Sequence, residues 1–281
     1  MPKIAVVTDT GCDLPAALCQ QYGIQTIPLE VRFGKEAYLE GELSLEAFWA
    51  KVQDGGRPGT SQPATGRYEE AFASWINKGY DVLCLTITGK HSGTFNSAYA
   101  ASRSFPEHVT VYDTLSLSMA QGYQIIAAAR AAAEGLELPQ IMARLESIRD
   151  RTHMFIGLDT IEFLKAGGRA DSVMPVLERA VRVLHIKPTL SVIEGQLKFG
   201  GVDRSHDRCV RRIRDEVLKH APAEALVVIH TRLPDEAANL AHDLCALLKF
   251  PWEQALVGEA GPVLSCHAGP GVIAAAIVAR A

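Results

Sequence analysis

The amino-acid sequence predicts an α/β protein with two domains, the first around a largely parallel sheet and the second around a mixed sheet. Three observations carry this prediction. Short β-branched runs alternate with longer stretches of helical periodicity. The runs are apolar almost throughout, which is typical of strands covered by helices on both faces. The chain has 281 residues, a length that fits two domains of moderate size.

Five apolar runs are predicted to be buried strands, and six helical patterns lie between or after them. The strands are Lys3–Thr8, Asp81–Thr86, His108–Tyr112, Met154–Leu158 and Ala225–His230. The helices are expected at 66–78, 93–104, 118–134, 137–150, 206–220 and 235–249. This alternation favours parallel strands that are joined by crossing helices.

The second half of the chain has a different pattern. Glu194-Gly195 separates two short alternating runs within Lys187–Val202, which predicts a β-hairpin and therefore an antiparallel part of the second sheet. Further strands are expected at 254–258 and 262–266. A C-terminal helix is expected after His267–Gly271.

The change of pattern near Arg151 predicts the domain boundary. We expect an N-terminal α/β domain over residues 1–151 and a C-terminal α/β domain over residues 152–281. No linker rich in Pro or Ser marks this point, and the sequence contains no internal repeat or low-complexity tract.

Composition excludes several classes of protein. The 28 basic and 32 acidic residues give a net charge of −4, which argues against a nucleic-acid partner. The first ten residues lack the apolar segment of a signal peptide, and no apolar run approaches the about 20 residues of a membrane span. Six scattered cysteines without a C-x-x-C pair predict reduced thiols, a cytoplasmic protein and no metal site.

Three segments place small polar groups beside Gly or Pro just before a predicted helix: Gly59–Pro63, Ser92–Thr94 and His267–Gly271. The start of a helix exposes unpaired N–H groups and the positive end of its dipole, so it suits an anion. The alternative is that all three are ordinary caps and turns, with Ser61 capping the helix that follows it.

Catalytic and cofactor motifs have little support in the sequence. Ser92 lies in a glycine-containing turn, but the glycine spacing differs from that of a hydrolase elbow. A triad of Ser92, His267 and either Asp9 or Asp113 stays open at this point, because geometry rather than chain order defines a triad. Asp13 is predicted to cap a helix that begins at Leu14-Pro15. Phosphate-loop and dinucleotide motifs are absent, so no cofactor is expected.

The segment Leu164–Arg169 carries two glycines beside an arginine. Such a turn can aim the Arg169 guanidinium at an anion or an acidic partner. The alternative is an ordinary helix C-terminus, with Lys165 in its last turn and a glycine that stops the helix.

Taken in order, these segments resemble the DegV family, to which the fatty-acid-binding subunits of bacterial fatty acid kinase belong. The resemblance spans nearly the whole chain. The matching pieces are Asp9-Thr10, Asp13-Leu14-Pro15, Thr60-Ser61-Gln62-Pro63, Ser92-Gly93-Thr94 with Ser97-Ala98, Asp113-Thr114 with Ser118 and Gly122, Leu164-Lys165 with Gly167-Gly168-Arg169, Ile186-Lys187-Pro188, and His267 with Gly269-Pro270-Gly271.

The resemblance implies a carrier rather than an enzyme. A long-chain fatty acid would lie between the two domains, with its tail in an apolar tunnel, and a fatty acid kinase would phosphorylate the carboxylate. The residues that match the family's carboxylate site are Thr60, Ser92 and His267, with Ser61 and Gly93 close enough to contribute. Arg169 and Arg204 match basic residues that are linked in the family to the kinase.

Five positions depart from the family pattern at the rim of the implied site. Thr88-Gly89 replaces two adjacent serines, His91 replaces a leucine, Ala64 a serine or threonine, and Ala120 a glycine. Two other functions stay open: a lipid-responsive regulatory protein that binds a partner near Arg169, and, ranked last, a lipid hydrolase with a serine nucleophile.

Overall fold

The computed structural model describes residues 3–171, 173–181 and 186–281. The chain forms two compact units. The first comprises Met1–Arg149 with Gly261–Val263, and the second Asp150–Ala260 with Leu264–Ala281. Helices alternate with strands around a parallel sheet in the first unit and a mixed sheet in the second, so the predicted fold class is confirmed. The boundary at 151/152 stays a prediction.

The first unit contains the elements up to its sixth helix, of which only the last residue, Asp150, belongs to the second unit. Its strands are β1 (Lys3–Asp9), β2 (Gln25–Ile27), β3 (Glu30–Phe33), β4 (Glu36–Leu39), β5 (Pro58–Ser61), β6 (Tyr80–Thr86) and β7 (Val109–Asp113). Its helices are α1 (Ala16–Gln21), α2 (Leu45–Gln53), α3 (Thr65–Ile76), α4 (Thr94–Ser102), α5 (Ser118–Ala133) and α6 (Leu138–Asp150), the last of which ends at the boundary.

The main sheet of the first unit has four parallel strands in the order β2-β1-β6-β7. Val7 and Val82 on two of these strands pack with Tyr68 and Phe72 of α3 and with Ala98 of α4 in one buried cluster. Burial of these side chains is the main stabilising contribution of the layer. In a parallel sheet all strands end at the same edge, so the loops after β1, β6 and β7 lie together.

A second, three-stranded sheet in this unit has no counterpart among the sequence predictions. Its antiparallel order is β4-β3-β5. Its strands have only four residues each and carry charged and polar side chains, so they lack the apolar run that identified the buried strands. Thr60 and Ser61 lie on β5 and pair with Val31 and Glu30.

The second unit is built on a mixed sheet. Its strands are β8 (Thr152–Gly157), β9 (Lys187–Ile193), β10 (Gln196–Asp203), β11 (Ala223–His230), β12 (Leu256–Glu259) and β13 (Ile273–Ala279), in the order β10-β9-β8-β13-β11-β12. Its helices are α7 (Glu162–Gly167), α8 (Met174–Val181), α9 (His206–Leu218) and α10 (Pro234–Leu248). A further helix, α11 (Pro262–Ala268), begins in the first unit and continues in the second.

The predicted hairpin is confirmed by the pairing of β9 with β10. Glu194 and Gly195 form its turn with φ values of 49° and 76°. Two residues with positive φ match the right-handed twist of the flanking strands. Helices α9 and α10 cover one face of the six-stranded sheet through Ile213, Leu240 and Leu244.

Two predictions for the C-terminal region are wrong. Residues 262–266 form part of helix α11 rather than a strand, and the expected C-terminal helix is strand β13. This strand lies between β8 and β11 and is buried along most of its length. Its alanines indicated a helix by local propensity, whereas the position between two neighbouring strands selects the extended form. Within the described ranges no helix is both long and apolar enough to cross a membrane.

Candidate functional site

A helix start that carries hydroxyl groups lies at the carboxyl edge of the parallel sheet. Helix α4 begins at Thr94, and Gly93 is its N-cap residue without a side-chain cap. The Ser92 and Thr94 hydroxyl oxygens are 2.7 Å apart, and the Thr94 backbone N–H donates to Ser92 Oγ over 3.3 Å. The prediction that this segment opens a helix is confirmed, and its hydroxyls gather at the positive end of the helix dipole.

The strand end that carries Thr60 and Ser61 is brought next to this helix start by Gln62. Gln62 Nε2 donates to Ser97 Oγ on α4 over 3.2 Å. A Cβ atom on Gly93 would overlap the Gln62 amide, so the two segments touch at a residue without a side chain. No local pattern predicted the contact of Gln62 with α4, although Gln62 lies inside the Gly59–Pro63 segment.

Ser61 does not have its predicted capping role. The N-cap of α3 is Ala64, which makes no side-chain cap bond, and Ser61 belongs to β5 instead. Pairing with β3 holds Thr60 and Ser61 in an extended conformation, in which successive side chains point to opposite faces. At most one of these two hydroxyls therefore faces a given ligand.

The carboxylate of Asp9 fixes the ends of β1 and β6 against each other. Asp9 is fully buried. Its two oxygens accept hydrogen bonds from the backbone N–H of Gly11 (2.9 Å) and Ile87 (2.8 Å), and Gln121 Nε2 lies 3.5 Å away. Burial raises the pKa of Asp9 to about 6, and these hydrogen bonds oppose the shift. Asp9 thus anchors the start of the loop that leads to Ser92.

Asp113 anchors the same loop from β7. Its carboxylate accepts from the backbone N–H of Gly89 (3.0 Å) and Leu115 (2.9 Å). The hydrogen bonds described for Asp9 and Asp113 thus come from backbone N–H groups and the Gln121 amide, and none of them orients an imidazole. The proposed triad therefore gains no support from either acid.

His267 lies in the last turn of α11 and not in front of a helix, so that part of the prediction is wrong. Its imidazole packs over Gly167, the last residue of α7, where a Cβ atom would overlap the ring. Gly168 ends α7 in the left-handed region with φ 63°. The second unit thereby joins two segments that the sequence singled out separately, the glycine pair and the histidine.

Arg169 and Arg204 are both exposed. The Arg169 guanidinium donates to the carbonyl of Gly167 over 2.6 Å, so it closes the end of α7. The alternative of a helix C-terminus with a glycine stop is therefore confirmed for this segment. Arg204 directly precedes Ser205, the N-cap residue of α9.

Asp13 was predicted to cap a helix, and this is wrong. Helix α1 begins only at Ala16, after Pro15, and Asp13 instead closes a short 3-10 turn with φ 51°. Its carboxylate accepts from Ser118 Oγ at 2.5 Å and from the Gly261 backbone N–H at 2.9 Å. The partners are more than 100 residues away, so no local signal predicts them. Across the described segments, no group of three or more His, Cys, Asp or Glu side chains fits a metal ion.

Together the fold and these features define a class of protein. It is a two-domain α/β protein with a hydroxyl-bearing helix start at the carboxyl edge of a parallel sheet, and it carries a histidine packed on glycine in its second unit. The chain belongs to the DegV family, described as uncharacterised proteins, because the family model matches residues 3–280.

Curated relatives in two bacteria cover nearly the whole chain. A DegV domain-containing protein of Deinococcus radiodurans is 30% identical over 281 residues, which is 98% of each chain. A DegV domain-containing protein of Listeria innocua is 31% identical over 278 residues, which is 96% of each chain.

Three solved structures are similar to the chain over 98% or more of both lengths. A DegV family protein of Thermus thermophilus, described with fatty acid binding, has 31% identity, a TM-score of 0.88 and coverage of 99% of this chain and 100% of that one. Bacillus subtilis DegV, described as a fatty acid binding protein, has 28% identity and a TM-score of 0.87 over all of both chains. A stearic acid-binding protein of Eubacterium ventriosum has 25% identity and a TM-score of 0.86, with 99% and 98% covered.

Proposed function

We propose that this protein binds a long-chain fatty acid in an internal apolar tunnel and presents it to a fatty acid kinase. In this proposal Thr60, Ser92 and His267 hold the carboxylate, and Ser61 and Gly93 contribute through their backbone, because the Ser61 side chain points to the face of β5 opposite to that of Thr60. The observation that carries the proposal is the cluster of hydroxyls at the start of α4, next to the end of β5. The solved relatives described as fatty acid binding proteins support it.

The hydrogen-bond donors at the start of α4 suit a carboxylate that moves from water into the protein. A buried carboxylate is costly unless hydrogen bonds replace its hydration. Hydroxyls such as those of Ser92 and Thr94 supply such bonds, and the positive end of the helix dipole adds a favourable field. These groups are neutral, so they can hold the acid while leaving its carboxylate oxygens reactive.

The tail supplies most of the binding free energy in this proposal. A sixteen-carbon acid has about 14 methylenes, and burying each contributes about 0.8 kcal/mol, or about 11 kcal/mol in all. Lost translation and ordering of the tail oppose this gain. Useful affinity therefore requires that nearly the whole tail is enclosed, which a tunnel achieves and a shallow groove does not.

The proposal also includes a protein partner, a fatty acid kinase. In it, an oxygen of the bound carboxylate attacks the γ-phosphorus of ATP on the partner, and ADP leaves, while this protein only presents the acid. Arg169 and Arg204 are the candidate contacts. Arg208 and Arg211 of α9 are also exposed, and helical spacing puts them on the same side of that helix. Such a basic surface suits an acidic partner.

Extraction of the purified protein tests fatty acid binding. Denaturing the protein and analysing the organic extract by mass spectrometry is expected to release a long-chain fatty acid, and protein stripped of lipid is expected to take up added palmitate. The same extraction of an unrelated protein from the same host is the control for carry-over. A lipid-free extract together with no uptake of palmitate would contradict the proposal.

Charge reversal at Arg204 tests the partner surface. Arg204→Glu is expected to lower the formation of acyl phosphate by about tenfold or more, because a single reversed charge at a complementary interface costs about 1.4 kcal/mol or more. The measurement traps acyl phosphate as a hydroxamate after lipid-loaded protein is mixed with ATP and a host extract.

Arg280→Glu, an exposed arginine of the same unit, is the matched control. Fatty acid affinity is expected to stay unchanged in both variants. Equal hydroxamate yields from Arg204→Glu and Arg280→Glu would remove Arg204 from the contact surface.

A further inference from the structure

Two carboxylates hold the first turn of α11. The Gly261 backbone N–H donates to Asp13 Oδ1 and the Val263 backbone N–H donates to Glu40 Oε1, both over 2.9 Å. All four residues belong to the first unit. The first N–H groups of a helix have no partner inside the helix, so these acids complete the hydrogen bonding at the start of α11. The same helix carries His267 in its last turn.

The two carboxylates approach the same residue. A Cβ atom on Gly261 would lie 2.7 Å from Glu40 Oε1 and 3.2 Å from Asp13 Oδ1. Glycine at 261 therefore lets both acids contact one stretch of backbone. Because they converge there, their negative charges repel each other when both are ionised.

The second carboxylate oxygen of Asp13 has a hydrogen-bond donor, whereas that of Glu40 has none among the described residues. Asp13 Oδ2 accepts from the Ser118 hydroxyl over 2.5 Å. The Thr10 hydroxyl donates to the Glu40 carboxylate, whereas Glu40 Oε2 is buried without a partner. An ionised carboxylate normally uses both oxygens as acceptors. The unpartnered oxygen is therefore the natural place for a proton.

Among the described groups that shift the pKa values of Asp13 and Glu40, none is a cation that would compensate their negative charges. Asp9 repels both Asp13 and Glu40, and Cys12 of the 3-10 turn faces Asp9 and Asp13. For the described residues, no Lys, Arg or His is among the groups that shift either carboxyl. The hydrogen-bond donors that act on the two carboxyls are the neutral Thr10 and Ser118 hydroxyls and the backbone N–H groups of Gly261 and Val263. Helix α11 itself carries Cys266 and His267 at its far end.

Burial and mutual repulsion make the pair hold a proton near neutral pH. Burial, ahead of the Coulomb repulsion from Asp9, raises the pKa of Asp13 to about 7. Burial, ahead of the repulsion from Asp13, raises the pKa of Glu40 to about 8. Both values lie above those of the unfolded chain, so the folded state binds more protons and loses stability as the pH rises from about 4 towards 8.

We propose that Asp13 and Glu40 form a proton-sensitive clasp that positions α11 and, through this helix, His267. While the pair holds a proton, both acids accept their backbone hydrogen bonds with little repulsion. When both are ionised, two uncompensated charges face the same turn and the clasp loosens. The effect on fatty acid release rests on the proposed function, whereas the effect on α11 does not.

Hydrogen exchange of the α11 backbone amides tests the clasp without lipid. Between pH 6 and pH 9, after correction for intrinsic exchange rates, the protection of the amides of Gly261 and of residues 263–265 is expected to fall about tenfold or more relative to the amides of β6. Pro262 has no amide hydrogen and gives no signal. The β6 amides serve as the reference because they report global unfolding, which also depends on pH. In lipid-loaded protein, the rate of fatty acid release is expected to rise over the same pH range.

Glu40→Gln is the informative variant. It keeps an oxygen for the Val263 N–H, places an uncharged amide group at the unpartnered position, and is expected to remove most of the pH dependence. Asp13→Asn is the second variant in case the first fails to fold. Glu70→Gln, an exposed residue of α3, is the matched control and is expected to behave like the wild type.

The outcomes separate the two hypotheses. Protection of 261–265 that does not depend on pH, or a pH dependence that persists in both Glu40→Gln and Asp13→Asn, would overturn the clasp. A pH-dependent α11 in a protein that takes up no fatty acid would leave the clasp standing and remove the proposed function. Fatty acid binding by a protein whose α11 protection does not depend on pH would overturn the clasp and leave the proposed function standing.

Discussion

A variant with both Thr60→Val and Ser92→Ala is expected to bind a long-chain fatty acid at least about 150-fold more weakly than the wild type. Each lost hydroxyl removes a hydrogen bond to a charged group, which contributes about 1.5–3 kcal/mol. Valine has nearly the shape of threonine and suits a strand, so β5 is expected to persist. Isothermal titration of palmitate into lipid-free protein measures the change.

The control for this pair is Ser104→Ala, which removes an exposed hydroxyl just beyond the other end of α4. Its affinity for palmitate is expected to equal that of the wild type. His267→Ala is expected to weaken binding by about 5–150-fold on its own, as one lost hydrogen bond of about 1–3 kcal/mol predicts. Wild-type affinity in the Thr60/Ser92 double variant would place the carboxylate elsewhere, while the fold and the family assignment would stand.

Asp9→Ala is expected to lower the free energy of unfolding by about 2–4 kcal/mol at pH 7.5. The change leaves the N–H groups of Gly11 and Ile87 without their acceptor, and each such buried donor costs about 1–3 kcal/mol. Relief from burying the ionised Asp9 side chain offsets part of this loss, because burial raises the pKa of that group. Urea unfolding followed by circular dichroism measures the difference.

Two further variants calibrate the Asp9 result. Asp9→Asn keeps one acceptor but turns an amide N–H₂ towards the second backbone donor, so we expect an intermediate loss. Asp54→Ala, which removes an acid at the C-terminal end of α2, is expected to change stability by less than about 0.5 kcal/mol. If Asp9→Ala unfolds at the same urea concentration as Asp54→Ala, the anchoring role of Asp9 is wrong.

The buried strands were predictable because their signal is local. The apolar runs that start at Lys3 and Asp81 place side chains on both faces, and a strand buried on both faces needs such a run. The Glu194-Gly195 turn was equally predictable, since a hairpin turn with two positive φ angles favours these residue types. In these cases the local preference and the tertiary environment agree.

Two segments near the C-terminus were not predictable in the same way. Ile273–Ala279 has the composition of a helix, yet it forms a strand between β8 and β11. Pro262–Ala268 looked extended, yet it is a helix whose first turn is held by Asp13 and Glu40. Small side chains fit both conformations, so contacts with distant parts of the chain decide between them.

The candidate site likewise has features that local sequence predicts and features that it does not. The helix start at Ser92–Thr94 followed from its own residues, because glycine and hydroxyl groups mark the first turn of a helix. The packing of His267 over Gly167, and the contact of Gln62 with Gly93, join segments that lie tens of residues apart. No periodicity or cap in either segment encodes its partner.

By itself the sequence determined the α/β class, the buried strands, the hairpin and the family resemblance, because periodicity, turn chemistry and ordered motifs are properties of neighbouring residues. Only the tertiary structure decided the state of the alanine-rich C-terminus, the true partners of Asp13, and the contacts of Gly93 and Gly167. Those outcomes depend on close packing and on hydrogen bonds between residues far apart in the chain, and such contacts exist only once the chain has folded.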